Sequence, residues 1–244
     1  MTNRNILIFG ASGTIGSAII DRFVQRGDRV IAVSRKPLPE TTCLNASLTA
    51  SSIHWVTWDV TATHATLPRA DFSAQVDAVI WAQGANCTDD IYHFDLQQHE
   101  ALYTANVTYI LISLHALLEH RLLAQGARLC IISSIWQNIA KQKKLSYCIS
   151  KAALQGMVQS LAIDLGKEGY LVNAVLPGAL DTSMTRANLN ASQITQIEKM
   201  TPLGSLATLE NVSSVVDYLC SQENTGITGQ FIAADKGFSY AKII

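Results

Sequence analysis

The chain has 244 residues, of which 48% are hydrophobic and 15% are charged, and its formal net charge at pH 7 is -1. This length and composition suit one large domain, and the near-neutral charge gives no reason to expect nucleic acid or a membrane surface as a partner. The amino-terminal residues show no cleavable signal pattern, and five cysteines without a CxxC pair fit the reduced thiols of a cytoplasmic protein.

Short apolar, β-branched segments alternate with longer segments of helical period along the whole chain. This alternation is typical of a parallel sheet that is covered by helices on both faces. We therefore expect an α/β fold, a Rossmann-type doubly wound sheet of about seven strands in a single domain. The predicted strands are 5–9, 30–33, 53–58, 78–82, 128–133, 171–176 and 230–233, and the predicted helices are 15–26, 96–125, 146–168 and 209–222.

Two segments between these elements have no clear core pattern. Residues 37–52 are rich in Thr, Ser and Ala and predict a loop with room for one short helix. Residues 182–202 follow the sixth strand, at the edge where ligands bind in doubly wound sheets. We predict that this second segment covers the substrate.

A glycine-rich turn, GASGTIG, follows the first strand directly and leads into the first helix. Its glycines allow a tight turn and a close approach of the backbone to a pyrophosphate, which would face the helix N-terminus. Plain strand-to-helix turns also use glycine, so the motif gains its meaning from its position. There it predicts a dinucleotide site formed by Gly10, Ser12, Gly13, Thr14, Ile15 and Gly16.

The sequence VSRK after the second strand distinguishes between the two nicotinamide dinucleotides. An acidic residue at this place would accept hydrogen bonds from a ribose 2′-hydroxyl, whereas Ser34 and Arg35 offer a donor and a cation to a 2′-phosphate. We expect NADP(H), with NAD(H) as the less favoured cofactor. The alternative reading of Arg35 is a solvated arginine that follows a strand.

Tyr147 and Lys151 stand four residues apart in SYCISK, on one face of a predicted helix, and Ser134 lies thirteen residues upstream of Tyr147. A neighbouring cation lowers the pKa of a phenol toward working pH, where proton exchange with a substrate oxygen is most effective. The spacing thus suits an acid/base pair. Taken alone, it more often belongs to an exposed helix pair, and the rest of the chain decides between the two.

These motifs occur in the order and spacing of the classical short-chain dehydrogenases/reductases, together with WDV at 58–60, VIWAQG at 79–84, Asn106 and VNAVLPGALDT at 172–182. The chain resembles this family over essentially its whole length. The resemblance implies one NAD(P)-binding domain, residues 1–244, that transfers a hydride between nicotinamide and a small-molecule carbonyl or secondary alcohol. It also implies a homotetramer or homodimer that is joined through the two long helices.

The resemblance implies roles for individual residues. Tyr147 would be the general acid in carbonyl reduction and the base in alcohol oxidation, and Ser134 would orient the substrate oxygen. Lys151 would lower the pKa of Tyr147 and hold the nicotinamide ribose, while Asn106 would support a water that leads protons to the lysine. Tyr147 and Lys151 would thereby also contact the cofactor, as would Asp59, Val60, Ala82, Gly84, Pro177, Gly178, Leu180 and Thr182.

Some of these assignments have alternatives. We prefer Ser134 over Ser133, which is expected to be the last buried residue of its strand. Asn106 could instead make a local backbone bond inside a helix. Trp136, two residues beyond Ser134, and Tyr92 are candidates for the wall of the substrate pocket, and packing is their alternative role.

The chain departs from the family pattern at several positions. The middle glycine of the turn comes one residue early, a spacing more like that of relatives that act on nucleotide sugars. Side-chain hydrogen bonds that are lost at the other positions would have to be replaced by other groups or by water. In this chain the middle glycine is Gly13, where the family has its glycine at the position of Thr14. Phe9 replaces a threonine of the family, Ala82 and Gln83 replace Asn and Ala, and Lys236 replaces one of two terminal glycines.

Two further function classes stay open. A nucleotide-sugar epimerase or dehydratase uses the same Tyr/Lys pair, but such enzymes usually carry an additional substrate domain that this chain lacks. A non-catalytic NADP(H)-binding regulator would keep the glycine turn without needing Tyr147, Lys151, Ser134 and Asn106 together. No zinc motif occurs among the six histidines and no GxSxG elbow surrounds Ser146, so neither a metal nor a serine nucleophile is predicted.

Overall fold

The protein is described here by a computed structural model that covers residues 3–37, 52–62, 66–182, 185–186 and 189–241. Over these residues, seven strands form one sheet in the order β3-β2-β1-β4-β5-β6-β7, and all neighbouring strands are parallel. The strands are β1 (Asn5–Phe9), β2 (Arg29–Ser34), β3 (Ile53–Thr57), β4 (Val76–Trp81), β5 (Leu123–Ile132), β6 (Leu171–Pro177) and β7 (Phe231–Ala234).

Helices cover both faces of this sheet. A π-helical turn, Thr104–Thr108, joins the second and third helices into one long helical segment. The helices are α1 (Thr14–Gln25), α2 (Leu96–Tyr103), α3 (Tyr109–Glu119), α4 (Leu145–Asp164), α5 (Ala191–Met200) and α6 (Leu209–Cys220).

The core has two layers because successive residues of a strand face opposite sides of the sheet. In β1, Leu7 and Phe9 belong to one layer, which α3 and α4 cover, while Ile6 and Ile8 belong to the other, which α1 and α6 cover. Strands that are buried on both faces read as continuous apolar runs, which explains the sequence pattern. The expected doubly wound α/β fold is confirmed.

The long predicted helix at 96–125 was too long at its carboxyl end. Helix α3 ends at Glu119, and Arg121 then adopts the left-handed conformation with φ 53°, which turns the chain. Strand β5 begins at Leu123, which pairs with Val76 of β4. The few apolar residues near 122–125 fit the period of a helix and the period of a strand equally well. The sequence therefore could not locate the end of α3.

The segment Leu96–Glu119 is long and apolar enough to cross a membrane by length and composition alone. In the fold, its residues Ile110, Leu114 and Leu117 are buried in the first core layer, and Leu102 is buried as well. The segment is therefore a core helix of this domain. The loop predicted at 37–52 lies almost entirely outside the described residues, and the segment at 182–202 contains α5.

Candidate active site

The predicted site residues gather where the strand order reverses. Strand β1 pairs with β2 on one side and with β4 on the other, which opens a crevice at the carboxyl ends of β1 and β4. Gly10 follows β1, Gly84 lies just beyond β4, and Ser134 lies just beyond β5. Tyr147 and Lys151 lie in the first two turns of α4.

The glycine turn has little room for side chains at two of its three glycines. Gly10 has φ +70°, and a Cβ there would lie 2.6 Å from the Cα of Gln83. A Cβ on Gly16 would lie 2.9 Å from the Cα of Ala11. The first strand and helix are thus packed tightly against each other and against the end of β4.

Gly13, the glycine with the unusual position, is the N-cap residue of α1. Its φ of -80° is open to any residue, and a Cβ would meet only the Gly10 oxygen, at 3.3 Å. No side chain caps the start of α1, and Ser12, Gly13 and Thr14 are exposed. The helix therefore offers uncapped N–H groups and the positive end of its dipole to an anion, with Ile15 partly buried behind them.

Ser34 is the last residue of β2, and Arg35 follows it beside this turn. The Ser34 hydroxyl is buried and donates to the carbonyl oxygen of Lys36 at 2.7 Å, whereas Arg35 is exposed. Burial is the main cause of the raised pKa of Tyr109. The charge of Asp59 raises this pKa further, and the charge of Arg35 lowers it. Arg35 and the residues after β3 therefore lie around one end of the crevice.

Asp59 and Val60 form a turn directly after β3. The Asp59 carboxylate accepts hydrogen bonds from the backbone N–H of Thr61, at 3.1 Å, and from its hydroxyl, at 2.7 Å. Val60 is buried in the first core layer. The turn is thus held by its own contacts, next to the carboxyl end of β2.

The start of α4 is fixed to the loop after β4. Both carboxylate oxygens of Asp89 accept from the Ser146 N–H at 3.2 Å, and the Ser146 hydroxyl lies 2.8 Å from His99 Nδ1. Lys144 donates to the carbonyl oxygen of Cys87 at 2.7 Å. These contacts, which no sequence motif indicates, set the position of the helix turn that carries Tyr147.

The side chain of Ser134 lies close enough to Tyr147 to influence the pKa of its phenol. Burial raises the pKa of the Tyr147 phenol, and the Ser134 contact opposes that change without reversing it. The expectation of a lowered Tyr147 pKa is therefore wrong for this structure. The reason is that desolvation disfavours the phenolate, while the Lys151 nitrogen lies 5.7 Å from the centre of the phenol ring.

Lys151 is buried, and its Nζ donates to the carbonyl oxygen of Ile132, the last residue of β5, at 3.1 Å. Burial lowers the pKa of Lys151 to about 8, because removing an ammonium from water disfavours its charged form. A Cβ on Gly84 would lie 3.8 Å from this nitrogen. The lysine therefore lies at the crevice, between the ends of β4 and β5.

Asn106 lies in the π-helical turn, and its side chain is fully engaged. Its Oδ1 accepts from the Ala85 N–H at 2.7 Å, and its Nδ2 donates to the Ala85 carbonyl at 3.1 Å and to the Ser150 hydroxyl at 2.9 Å. Ser150 in turn donates to the Tyr147 carbonyl at 2.8 Å. Asn106 thus joins the loop after β4 to α4, and Ser150 is a member of this network that sequence analysis missed.

The two neighbouring serines have different environments. Ser133 donates its hydroxyl to the Gln137 side chain at 2.8 Å, while Ser134 caps a short helix, Ile135–Gln137, by accepting from the Trp136 N–H at 3.3 Å. The indole of Trp136 packs on Phe238 at 6.3 Å between ring centres. The backbone of Trp136 therefore lies beside the serine, while its indole packs on Phe238.

Tyr92 lies elsewhere. It belongs to a short helix, Ile91–His93, after β4, and its side chain is 90% exposed. The structure does not pack this ring against Tyr147 or Ser134. In this arrangement Tyr92 is a surface residue, and only Trp136 of the two predicted wall residues lies next to the serine.

The turn after β6 is fixed by the end of β7. Pro177 pairs with Ala234, and a Cβ on Gly178 would lie 2.7 Å from the Cβ of Asp235. Leu180 forms a bridge with Ala207, and the Thr182 hydroxyl accepts from the Thr185 N–H at 3.2 Å. Lys236, at the departure from the terminal glycines, adopts the left-handed conformation with φ 57° and donates to the Ser205 hydroxyl at 2.8 Å.

Phe9, one of the departures from the family pattern, lies in an aromatic cluster. The Phe9 ring stacks on Trp81, with centres 5.9 Å apart, and lies 5.7 Å from Trp58 and 5.8 Å from Tyr109. Ala82 continues the strand ladder by donating to the Phe9 carbonyl at 3.0 Å. Apolar packing therefore occupies the place where the family pattern has polar side chains.

Fold and site together define a Rossmann-type oxidoreductase with a tyrosine, a lysine and a serine at the switch point of the sheet. Residues 10–239 match the family described as enoyl-(acyl carrier protein) reductase. The chain belongs to the classical short-chain dehydrogenase/reductase family, whose members bind a nicotinamide cofactor.

Individual relatives agree with this assignment. The chain is 29% identical to the 2-(R)-hydroxypropyl-CoM dehydrogenase of Xanthobacter autotrophicus, over 97% of this chain and 99% of that protein. It is 26% identical to the L-rhamnose 1-dehydrogenase (NADP(+)) of Thermoplasma acidophilum, over 96% and 95%. A solved oxidoreductase of the same family from Burkholderia thailandensis has a TM-score of 0.84 and 27% identity, with 99% and 95% coverage.

Proposed function

We propose that the protein is an NADP(H)-dependent reductase of a small ketone or aldehyde, which also oxidises the corresponding secondary alcohol. The observation that carries this proposal is that Tyr147, whose phenol pKa the Ser134 side chain influences, lies on α4 together with the buried Lys151, at the switch point of the sheet. Two hydroxyls that face one space can both bind a single carbonyl oxygen. The raised pKa of Tyr147 keeps its proton available for donation near neutral pH.

The glycine turn fits a dinucleotide because Gly10 and Gly16 leave no room for side chains, and because the uncapped start of α1 suits a pyrophosphate. The turn residues 10–16, Asp59, Val60, Ala82, Gly84 and the residues Pro177, Gly178, Leu180 and Thr182 would hold the cofactor along the crevice. A bound nicotinamide supplies the hydride that goes to the carbonyl carbon. The chain itself must supply the proton.

The proton would come from Tyr147. Its hydroxyl and that of Ser134 would hold the carbonyl oxygen, and the Tyr147 O–H bond would break as the oxygen gains negative charge. Lys151, when protonated, would stabilise the phenolate that results and would hold the nicotinamide ribose. Asn106 would act as a positioning residue, because its side chain holds Ala85 and Ser150 in place. In alcohol oxidation the same steps run in reverse.

The cofactor preference rests on Arg35. This exposed cation follows β2, where an acidic residue would favour NAD(H), and the rhamnose dehydrogenase relative is named for NADP. Arg35→Asp should reverse the preference between NADPH and NADH in kcat/KM. Arg29→Ala removes an exposed cation at the opposite end of the same strand and should leave the preference unchanged. Wild-type protein that uses NADH more efficiently than NADPH would refute the assignment.

The direct test of the function is a panel of carbonyls and alcohols, followed at the nicotinamide absorbance with both cofactors. Cofactor that is released as a changed product marks a dehydrogenase. Tightly retained cofactor without net redox change would mark an epimerase or dehydratase instead. Cofactor binding without any turnover would mark a regulator and would refute the proposed function.

Two further parts of the proposal concern the surroundings of the site. The segment at 182–202, with α5, would cover a substrate that lies beside Trp136, with Tyr92 reaching the substrate only if the loop after β4 moves. Exposed apolar residues on two long helices support a homodimer or homotetramer, which light scattering would test. These residues are Leu111 and Ile112 on α3 and Ile149 and Ile163 on α4. We expect the protein to work in the cytoplasm, without nucleic acid, membrane or metal.

A further inference from the structure

Gln83 carries a buried polar group that the proposed reaction does not use. The nitrogen and the oxygen of its side-chain amide are both buried, and neither has a hydrogen-bond partner among the residues that the structure describes. A buried amide that is left unpaired costs free energy, and such groups are rare in folded proteins. The unpaired amide therefore points to a partner that is not part of the described chain.

The position of Gln83 suggests what this partner is. Gln83 lies two residues beyond β4, and its backbone touches the space above Gly10 in the glycine turn. The next residue, Gly84, faces Asn106 and the Lys151 nitrogen. Gln83 thus stands between the proposed pyrophosphate site and the lysine that would hold the nicotinamide ribose, along the path that a dinucleotide must take.

The neighbouring side chains do not offer the amide a strong partner. The residues that flank it in the chain are Ala82, which packs against the second core layer, and Gly84, and neither carries a polar side chain. Two residues before Gln83, the ring of Trp81 stacks on Phe9. Aromatic faces give an amide only weak hydrogen bonds.

We propose that the side-chain amide of Gln83 hydrogen-bonds the bound nicotinamide dinucleotide. An amide donates to phosphate or ribose oxygens and accepts from a ribose hydroxyl or an amino group, and a dinucleotide carries all of these. This inference rests on the proposed function and adds to it a contact that the family pattern, with alanine at this place, does not contain. Gln83 is thus a determinant of cofactor affinity that is particular to this chain.

The test is Gln83→Met, which keeps the length of the side chain and removes its hydrogen-bonding groups. We expect the Kd for NADPH, measured by titration of its fluorescence, to rise about three- to tenfold. Without cofactor, the melting temperature should rise, because the unpaired amide is gone. Gln83→Ala, which restores the usual family residue, should weaken NADPH binding by a similar factor. This variant tests the inference if Gln83→Met does not fold.

Gln75→Met is the matched control, since Gln75 is exposed at the opposite end of β4 and donates to the Arg121 carbonyl. It should leave the Kd unchanged. An unchanged Kd in both Gln83 variants, or a lower melting temperature of Gln83→Met without cofactor, would overturn the inference, because the amide would then have its partner within the protein. Wild-type protein that binds no dinucleotide would overturn the proposed function as well.

Discussion

The ammonium group of Lys151 donates a hydrogen bond of 3.1 Å to the carbonyl oxygen of Ile132, at the end of β5. This contact holds the lysine across the gap between helix α4 and the sheet. It offsets only part of the cost of burial, because the pKa of Lys151 is still lowered to about 8. The protein therefore keeps a cation at the site at the expense of its own stability, a trade-off that occurs at functional sites.

The burial of Lys151 predicts how stability depends on pH. The folded pKa of about 8 is below the ordinary value of 10.5, so between these pH values the unfolded state binds more protons and stability rises with pH. Below about pH 8 the burial of the charged lysine lowers the free energy of unfolding by its full amount. The difference between the two pKa values corresponds to roughly 3 kcal/mol. Lys151→Met should remove this penalty while losing one hydrogen bond of about 1 kcal/mol.

The expected result is a higher free energy of unfolding for Lys151→Met at about pH 7, by roughly 2 kcal/mol, and no advantage at about pH 11. Urea unfolding at both pH values measures it. Lys167→Met, at an exposed lysine after α4, is the control and should change little. An advantage of the same size at both pH values would contradict the assignment of the effect to the buried charge.

Tyr147→Phe should lower kcat for carbonyl reduction by about a hundred- to ten-thousand-fold, because it removes the proton donor. The phenyl ring still fits the site, so the Kd for NADPH should change little. Tyr170→Phe removes a hydroxyl just before β6, at the other end of the strands, and serves as control. Steady-state kinetics with a cofactor titration separates the two effects, and a variant that keeps most of its turnover would exclude Tyr147 as the acid.

Ser134 and Ser133 provide a matched pair. Ser134→Ala should lower kcat by about a hundredfold, because the substrate oxygen loses a hydrogen-bond donor that would stabilise it in the transition state. Ser133→Ala removes the bond to Gln137 instead and should lower the free energy of unfolding by about 1 kcal/mol with kcat largely preserved. Kinetics and urea unfolding on both variants check this, and the opposite ranking of the two kcat values would show that the wrong serine was chosen.

The strands were easier to predict than the contacts at the site. Strand β1 has the predicted limits, because the apolar run ends at the conformational break of Gly10. Burial on both faces of a parallel sheet leaves a clear signal in such runs. The end of α3 was missed, because the turn at Arg121 depends on pairing between Leu123 and Val76, which are far apart in the sequence.

The spacing of Tyr147 and Lys151 predicted a shared helix face, and both residues do lie in α4 beside the crevice. The direction of the Tyr147 pKa could not be predicted, because it depends on how much protein surrounds the phenol. The amide of Gln83 gave no sequence signal beyond a departure from the family pattern. Its importance appears only when its surroundings are known.

The two glycines at the start of the turn should respond differently to substitution. Gly10→Ala should unfold the protein or cost several kcal/mol, because of the φ of +70° and the close approach to Gln83. Gly13→Ala should fold with nearly unchanged stability, since its φ of -80° suits alanine. If Gly13 gives the pyrophosphate access to α1, the Kd for NADPH should still rise. Thermal unfolding and cofactor titration test both variants.

Asn106→Ala should affect both stability and turnover. The substitution leaves the N–H and carbonyl of Ala85 without their partner and frees the Ser150 hydroxyl, so the free energy of unfolding should fall by about 2 kcal/mol. As Ala85 loosens, Gly84 loses its fixed place beside Lys151, and kcat should fall more than KM rises.

Asn138→Ala, at an exposed asparagine that bonds Tyr240, is the control for Asn106→Ala and should preserve both quantities. Urea unfolding and steady-state kinetics provide the measurement. If Asn106 only stabilised the fold, the folded fraction of Asn106→Ala would have the same kcat as the wild type. A reduced kcat in fully folded protein, as judged by circular dichroism, supports positioning, because the π-helical turn then acts through the loop after β4 on the residues that transfer the proton.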